Sequence, residues 1–245
     1  MTEAAVAIGG LLGGLASGLT GFGFGLTSLP LWAHVLAPAV ASPLVIACSI
    51  AGQLQTLPKI WHAIDLRRLA PFVILGLAGV PIGVWLLPLI APGAFRIALG
   101  ALVVVACATL LWLRIATRRE SSRAGDAFVG FTGGVLGGIT GLSGVPPTIW
   151  AELHGWGKDE RRAIFQGFNI SILVLALAGH GVAGSFTGPV LPLLLVAIPA
   201  TLAGAWAGRK LYDRVDARRF GRIVLWLVLG AGASLLASGL VRAWA

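Results

Sequence analysis

GLLGGLASGLTG, residues 10 to 21, is echoed later in the chain by GFTGGVLGGITG, residues 130 to 141. Six of the twelve positions match: Gly10, Gly13, Gly14, Gly18, Thr20 and Gly21 against Gly130, Gly133, Gly134, Gly138, Thr140 and Gly141. In each copy glycines recur every fourth residue (10, 14, 18 and 130, 134, 138) and so share one face of a helix. Each copy runs into a second small-residue cluster, Phe22-Gly23-Phe24-Gly25 or Leu142-Ser143-Gly144, and then into Pro30 or Pro146-Pro147. A glycine inside a helix costs roughly 1 kcal/mol relative to alanine. Such density persists only where close backbone approach offsets it. The pair reads as two copies of one substrate-handling element in a duplicated protein.

The surrounding chain belongs in a membrane. Its 245 residues are 57% hydrophobic and 11% charged, with a mean hydropathy of +0.92, a composition foreign to soluble domains. No Asp, Glu, Lys or Arg occurs from Ala4 to Pro58 or from Ala163 to Gly208. At ~1.5 Å rise per residue against a hydrocarbon core of ~30 Å, the first run is roughly 80 Å of helix, which enters or crosses the bilayer more than once. An all-α polytopic membrane protein follows. The opening MTEAAVAIGG lacks the basic n-region and cleavage site of a signal peptide, and none is expected. Cys48 and Cys107 lie in apolar runs and read as buried, reduced thiols. The net charge of +9 reports loops facing anionic lipid, so no nucleic-acid partner is expected.

Breakers divide the chain into a first repeat over 1–117, a basic cytoplasmic linker at 118–125 and a second repeat over 126–245. Each repeat is a glycine-rich re-entrant or broken helical hairpin plus three transmembrane helices, expected at 42–57, 69–90 and 95–113, then at 163–182, 189–208 and 223–240. Sixteen of the eighteen basic residues fall in four patches, at 59–68, 114–123, 158–162 and 209–222. If each glycine element crossed once, the halves would be parallel and the last two patches would lie outside. If each dips in and returns, the halves are inverted and all four patches face the cytoplasm, leaving Arg96 and Arg242 outside. The positive-inside rule favours the hairpins and puts both termini outside. Their tips would then meet near the midplane, where non-helical backbone survives only inside protein or around a cavity. Inverted repeats with broken helices are a recurring transporter plan. Trp61, Trp112, Trp156, Trp206 and Trp244 lie near basic residues and are expected to form an interfacial belt.

An oxyanion site in such a protein needs donors that do not trap the ion, which helix N-termini and neutral side chains supply. The two tips fit: Thr20, Gly21, Phe22, Gly23, Gly25 and Thr27 in the first copy, Thr140, Gly141, Ser143 and Gly144 in the second. Gly10, Gly14, Gly18 and their copies read as packing residues instead. Polar side chains in the spans extend the candidate site, because leaving them unpaired in hydrocarbon is costly. Ser49 and Gln53 occupy the element after the first tip, and Gln166 and Asn169 the element after the second. Their bland alternative is interhelical hydrogen bonding. His180 reads as water-facing at a helix end, and Asp65, Asp159 and Glu160 as loop ion pairs. No metal-ligand spacing, P-loop, dinucleotide fingerprint or nucleophile elbow occurs. Neither a cofactor nor enzymatic chemistry is expected.

The run G-L-T-G-F-G-F-G, the copy G-I-T-G-L-S-G-V-P-P and the joined repeats resemble the TauE/SafE family of sulfite-exporter-like permeases. The stretch from Trp156 to Ala163 looks like the loop before that family's next helix. The resemblance implies a multi-pass protein of the bacterial inner membrane that moves sulfite, sulfoacetate or another organosulfonate, usually outward. A secondary transporter working by alternating access around a midplane anion site is therefore expected. Its partners would be a small sulfur-containing anion, the lipid bilayer and possible coupling to a proton or sodium ion; the sequence sets no oligomeric state. The alternative is a passive anion channel, or a permease for other small organic anions.

Overall fold

Helix boundaries follow local chemistry in a computed structural model that describes residues 2–20, 23–55, 64–112, 120–186, 188–212 and 217–244. Ten α-helices are described, with no strand among the described residues. They are α1 (Thr2–Thr20), α2 (Phe24–Trp32), α3 (Pro38–Leu54), α4 (Leu66–Leu86), α5 (Pro92–Trp112), α6 (Arg123–Thr140), α7 (Val145–Leu153), α8 (Lys158–Val182), α9 (Val190–Tyr212) and α10 (Ala217–Trp244). Asp65 caps α4, its carboxylate accepting the N–H of Arg67 at 2.9 Å. It is therefore a helix cap and not the loop ion pair expected of it. Ser122 caps α6 in the same way, accepting from Gly125 N–H at 3.1 Å. Prolines open α3 and α7, where a missing N–H costs nothing.

Helices α1, α4, α5, α8, α9 and α10 are long and apolar enough to cross a membrane. The expected span at 42–57 appears as α3, a shorter apolar helix of 17 residues. The chain is a multi-pass membrane protein. Both glycine elements are helical hairpins with unequal arms. Helix α1 has 19 residues, about 28 Å, and α2 only nine. Helix α2 folds back along α1: Ser28 Oγ donates to Gly9 O at 2.8 Å, and Gly9 and Gly13 face Trp32 and Phe24. In the second element, α6 has 18 residues and α7 nine. Trp150 returns beside the start of α6, donating to Asp126 at 2.8 Å. The first long arm is thus itself a candidate span, which a short re-entrant loop would not be.

Each glycine stripe seats against a helix of the other half of the chain. A Cβ added at Gly14 or Gly18 would come within 3.0 Å of backbone at Thr201 or Ala205 on α9. One added at Gly130, Gly134 or Gly138 would do the same at Phe72, Gly76 or Val80 on α4. The partners reciprocate with their own glycines: Gly204 and Gly208 on α9 meet Leu11 and Leu15, and Gly79 and Gly83 on α4 meet Phe131 and Val135. The ascending order of these contacts makes α1 parallel to α9 and α4 parallel to α6. Helices α5 and α10 run antiparallel, with Gly100 facing Leu236 and Gly239 facing Ile97.

Two clusters fill the interior. One gathers Trp32, Leu44, Val103 and Leu235; the other gathers Phe72, Ile164, Phe168 and Ile172. Trp112 and Trp206 are exposed, as a belt requires, whereas Trp156 is 7% exposed and packs edge-on against Phe72 at 6.0 Å. Its sequence neighbours are polar, but Arg68 lies over its ring at 5.5 Å and Phe72 packs against it. Trp61 lies outside the described residues. His180, expected to face water, is buried, with Nε2 2.9 Å from Gly138 O and Nδ1 3.2 Å from Ser185 Oγ.

Candidate functional site

The two hairpin tips meet. A Cβ added at Gly25 would touch Leu142 at 2.7 Å and approach Gly141 O at 3.5 Å. Both tips turn on a left-handed glycine, Gly23 (φ 95°) in the first and Gly141 (φ 74°) in the second, a conformation that disfavours any side chain. Between the tips lies a cavity of about 40 Å³, measured as room for the centres of water molecules. One water needs roughly 10–15 Å³ on that measure, so the space suits a small polyatomic ion.

Gly23, Gly25, Gly141 and Gly144 line this cavity from the tips. Ser49 and Gln53 reach it from α3, and Gln166 and Asn169 from α8. Eight of the candidate residues therefore converge from four elements. Three others stand beside it. Thr140 donates to Leu136 O at 2.7 Å and accepts Leu142 N–H at 3.2 Å, which makes it a cap of the second tip. Thr27 donates to Gly23 O at 3.0 Å. Ser143 donates to Asn169 Oδ1. Thr20 ends α1, while Gly21 and Phe22 lie outside the described residues.

The lining also contains Phe24 and Leu142 from the two small-residue clusters, and Ser17, Leu26, Val145, Thr148 and Phe165, which the sequence did not single out. Ser17 and Thr148 are the instructive pair. Each hydroxyl donates to its own helix, to Gly14 O at 3.0 Å and Gly144 O at 2.6 Å. A hydroxyl satisfied this way carries no sequence signature.

The tips differ chemically. In α2 the first-turn N–H groups of Phe24, Gly25 and Leu26 have no acceptor within the helix, and Thr27 N–H makes the first such bond, to Gly23 O at 3.0 Å. Helix α7 offers less, because Val145 N–H bonds Leu142 O at 3.2 Å and Pro146 and Pro147 have no N–H. Its share of donors comes through Ser143, whose hydroxyl occupies the Asn169 carbonyl oxygen and leaves the amide N–H groups available. No cluster of His, Cys, Asp and Glu able to hold a metal occurs among the described residues.

The described lining of the cavity is neutral, inside a multi-pass bundle. A family model described as sulfite exporter TauE/SafE matches residues 6–235. The chain belongs to the TauE/SafE family. Membership implies a sulfite-type anion permease of the membrane, and the match runs through both hairpins and the cavity between them. No curated protein and no solved structure matches the chain.

Proposed function

We propose that this TauE/SafE protein is a secondary transporter that carries sulfite or a small organosulfonate outward, by alternating access around the cavity between the hairpin tips. The observation that carries the proposal is the convergence of eight candidate residues, from both halves, on one small cavity without a fixed charge in its described lining. Neutral dipoles stabilise an anion without holding it so tightly that it cannot leave.

The helix directions support inverted halves. Helix α1 runs with α9, α4 runs with α6, α5 opposes α10, and α2 and α7 double back on their partners. A chain that reverses at every connection has these relations. Such a chain would also turn all four basic patches to one face, the arrangement the positive-inside rule asks of a cytoplasmic side. Ser49 and Gln53 lie in the last two turns of α3, and Phe165 to Asn169 in the first half of α8. Both stretches are the ends nearer that basic face, so the cavity stands on its side.

Reconstitution tests the proposal. Proteoliposomes loaded with sulfite should release it in a saturable manner, and external sulfite should accelerate that release by exchange. Non-saturable flux at channel rates would replace the carrier by a passive pore. Flux equal to that of protein-free liposomes would reject the reading.

A further inference from the structure

Every described residue lining the cavity is neutral. Its polar side chains are Ser17, Ser49, Gln53, Thr148, Gln166 and Asn169, and two of those hydroxyls are directed at helix carbonyls. Four charged groups on the helices of the bundle are engaged elsewhere. Arg209 donates to Gln55 O at 3.1 Å, two residues beyond Gln53 and outside the lining. Arg68 pairs with Glu160. The Asp126 carboxylate accepts from Trp150 and Ser121.

An ion entering such a site exchanges bulk water for fixed dipoles. Its desolvation cost grows with the square of its charge, roughly fourfold from a monoanion to a dianion. Its attraction to each dipole only doubles. A cation in the lining could close that gap, and the described lining holds none. With about 40 Å³ open to the centres of water molecules, room for roughly three or four of them, an ion in the cavity sheds much of its hydration shell.

We infer that the site takes singly charged sulfur oxyanions, hydrogen sulfite or a short alkanesulfonate, and rejects doubly charged ones of the same size, sulfate and the sulfite dianion among them, so that the sulfite transported is its singly protonated form. The inference rests on the transport reading above and names the charge state of its cargo.

Fixed-charge probes test it on the full-length protein in proteoliposomes at neutral pH and constant ionic strength. Methanesulfonate and fluorosulfate are tetrahedral monoanions, and sulfate is a dianion of nearly the same shape. Both monoanions should inhibit sulfite flux at concentrations about tenfold or more below sulfate, a ratio equivalent to ~1.4 kcal/mol. Fluorosulfate controls for the methyl group. Adding a cation with Gln53→Lys, or with Asn169→Lys where the first does not fold, should narrow that ratio. Sulfate inhibiting as well as the monoanions would overturn the charge-state inference while leaving sulfite transport intact. Absence of any sulfite flux would instead remove the transport reading beneath it.

Discussion

Asn169 lines the cavity from α8, and Ser143 at the second tip donates to its Oδ1. Replacing Ser143 by alanine frees the amide to turn its carbonyl oxygen inward. Sulfite affinity should fall about tenfold, in keeping with ~1.5 kcal/mol for a hydrogen bond that orients a group on an ion, and Ser143→Thr should restore it. Equal affinity in Ser143→Ala, read by competition in proteoliposomes, would leave the pair a packing contact. Asn169→Asp is nearly isosteric but puts a negative charge beside an anion. It should abolish sulfite flux while the protein keeps its elution profile and yield. The amides Gln53, Gln166 and Asn169 were legible in the sequence because polar side chains in charge-free runs have few places to go. Thr140 matched its copy in the first half as well as any residue, yet it caps a turn; matching marks a shared fold and says nothing of which way a hydroxyl turns.

Among elements, the hairpins' long arms show what the glycines are for. Gly134→Ala would drive a methyl into the backbone of Gly76 and should cost about 2 kcal/mol or more, the range for overpacking a filled interface. Gly230→Ala is the control: it lies in α10 with open space around it, and helix propensity alone should stabilise it by up to ~1 kcal/mol. Thermal unfolding in detergent should therefore move in opposite directions for the two variants; a shared direction would contradict the packing. The spacing of Gly10, Gly14 and Gly18 announced close approach, and so in principle did Gly79 with Gly83 and Gly204 with Gly208. Which stripe meets which was hidden. Small residues four apart say that something comes near and not what, so the cross-half pairing emerged only from the coordinates.

At the scale of the whole molecule, the distribution of charge was the most informative feature of the sequence, since basic loops are retained on one side by a cost that acts on every span. Single cysteines check the result in intact cells. Glu120→Cys, in the basic linker, should be shielded from an impermeant maleimide, and Ala91→Cys, between α4 and α5, should react. The reverse pattern would turn the bundle over. Ala217→Cys, at the start of α10, should be shielded as well, and reaction there would revive parallel halves. The seating of α1 on α9 has a further consequence, for the order of assembly. The groove that receives α1 is made of residues 197–208, which are synthesised well over a hundred residues after it. Helix α1 must therefore wait, its glycine face turned to lipid or to a chaperone, until α9 arrives. A chain ending before Val190 should reach the membrane and be degraded there, and supplying α9 and α10 as a separate peptide should rescue it.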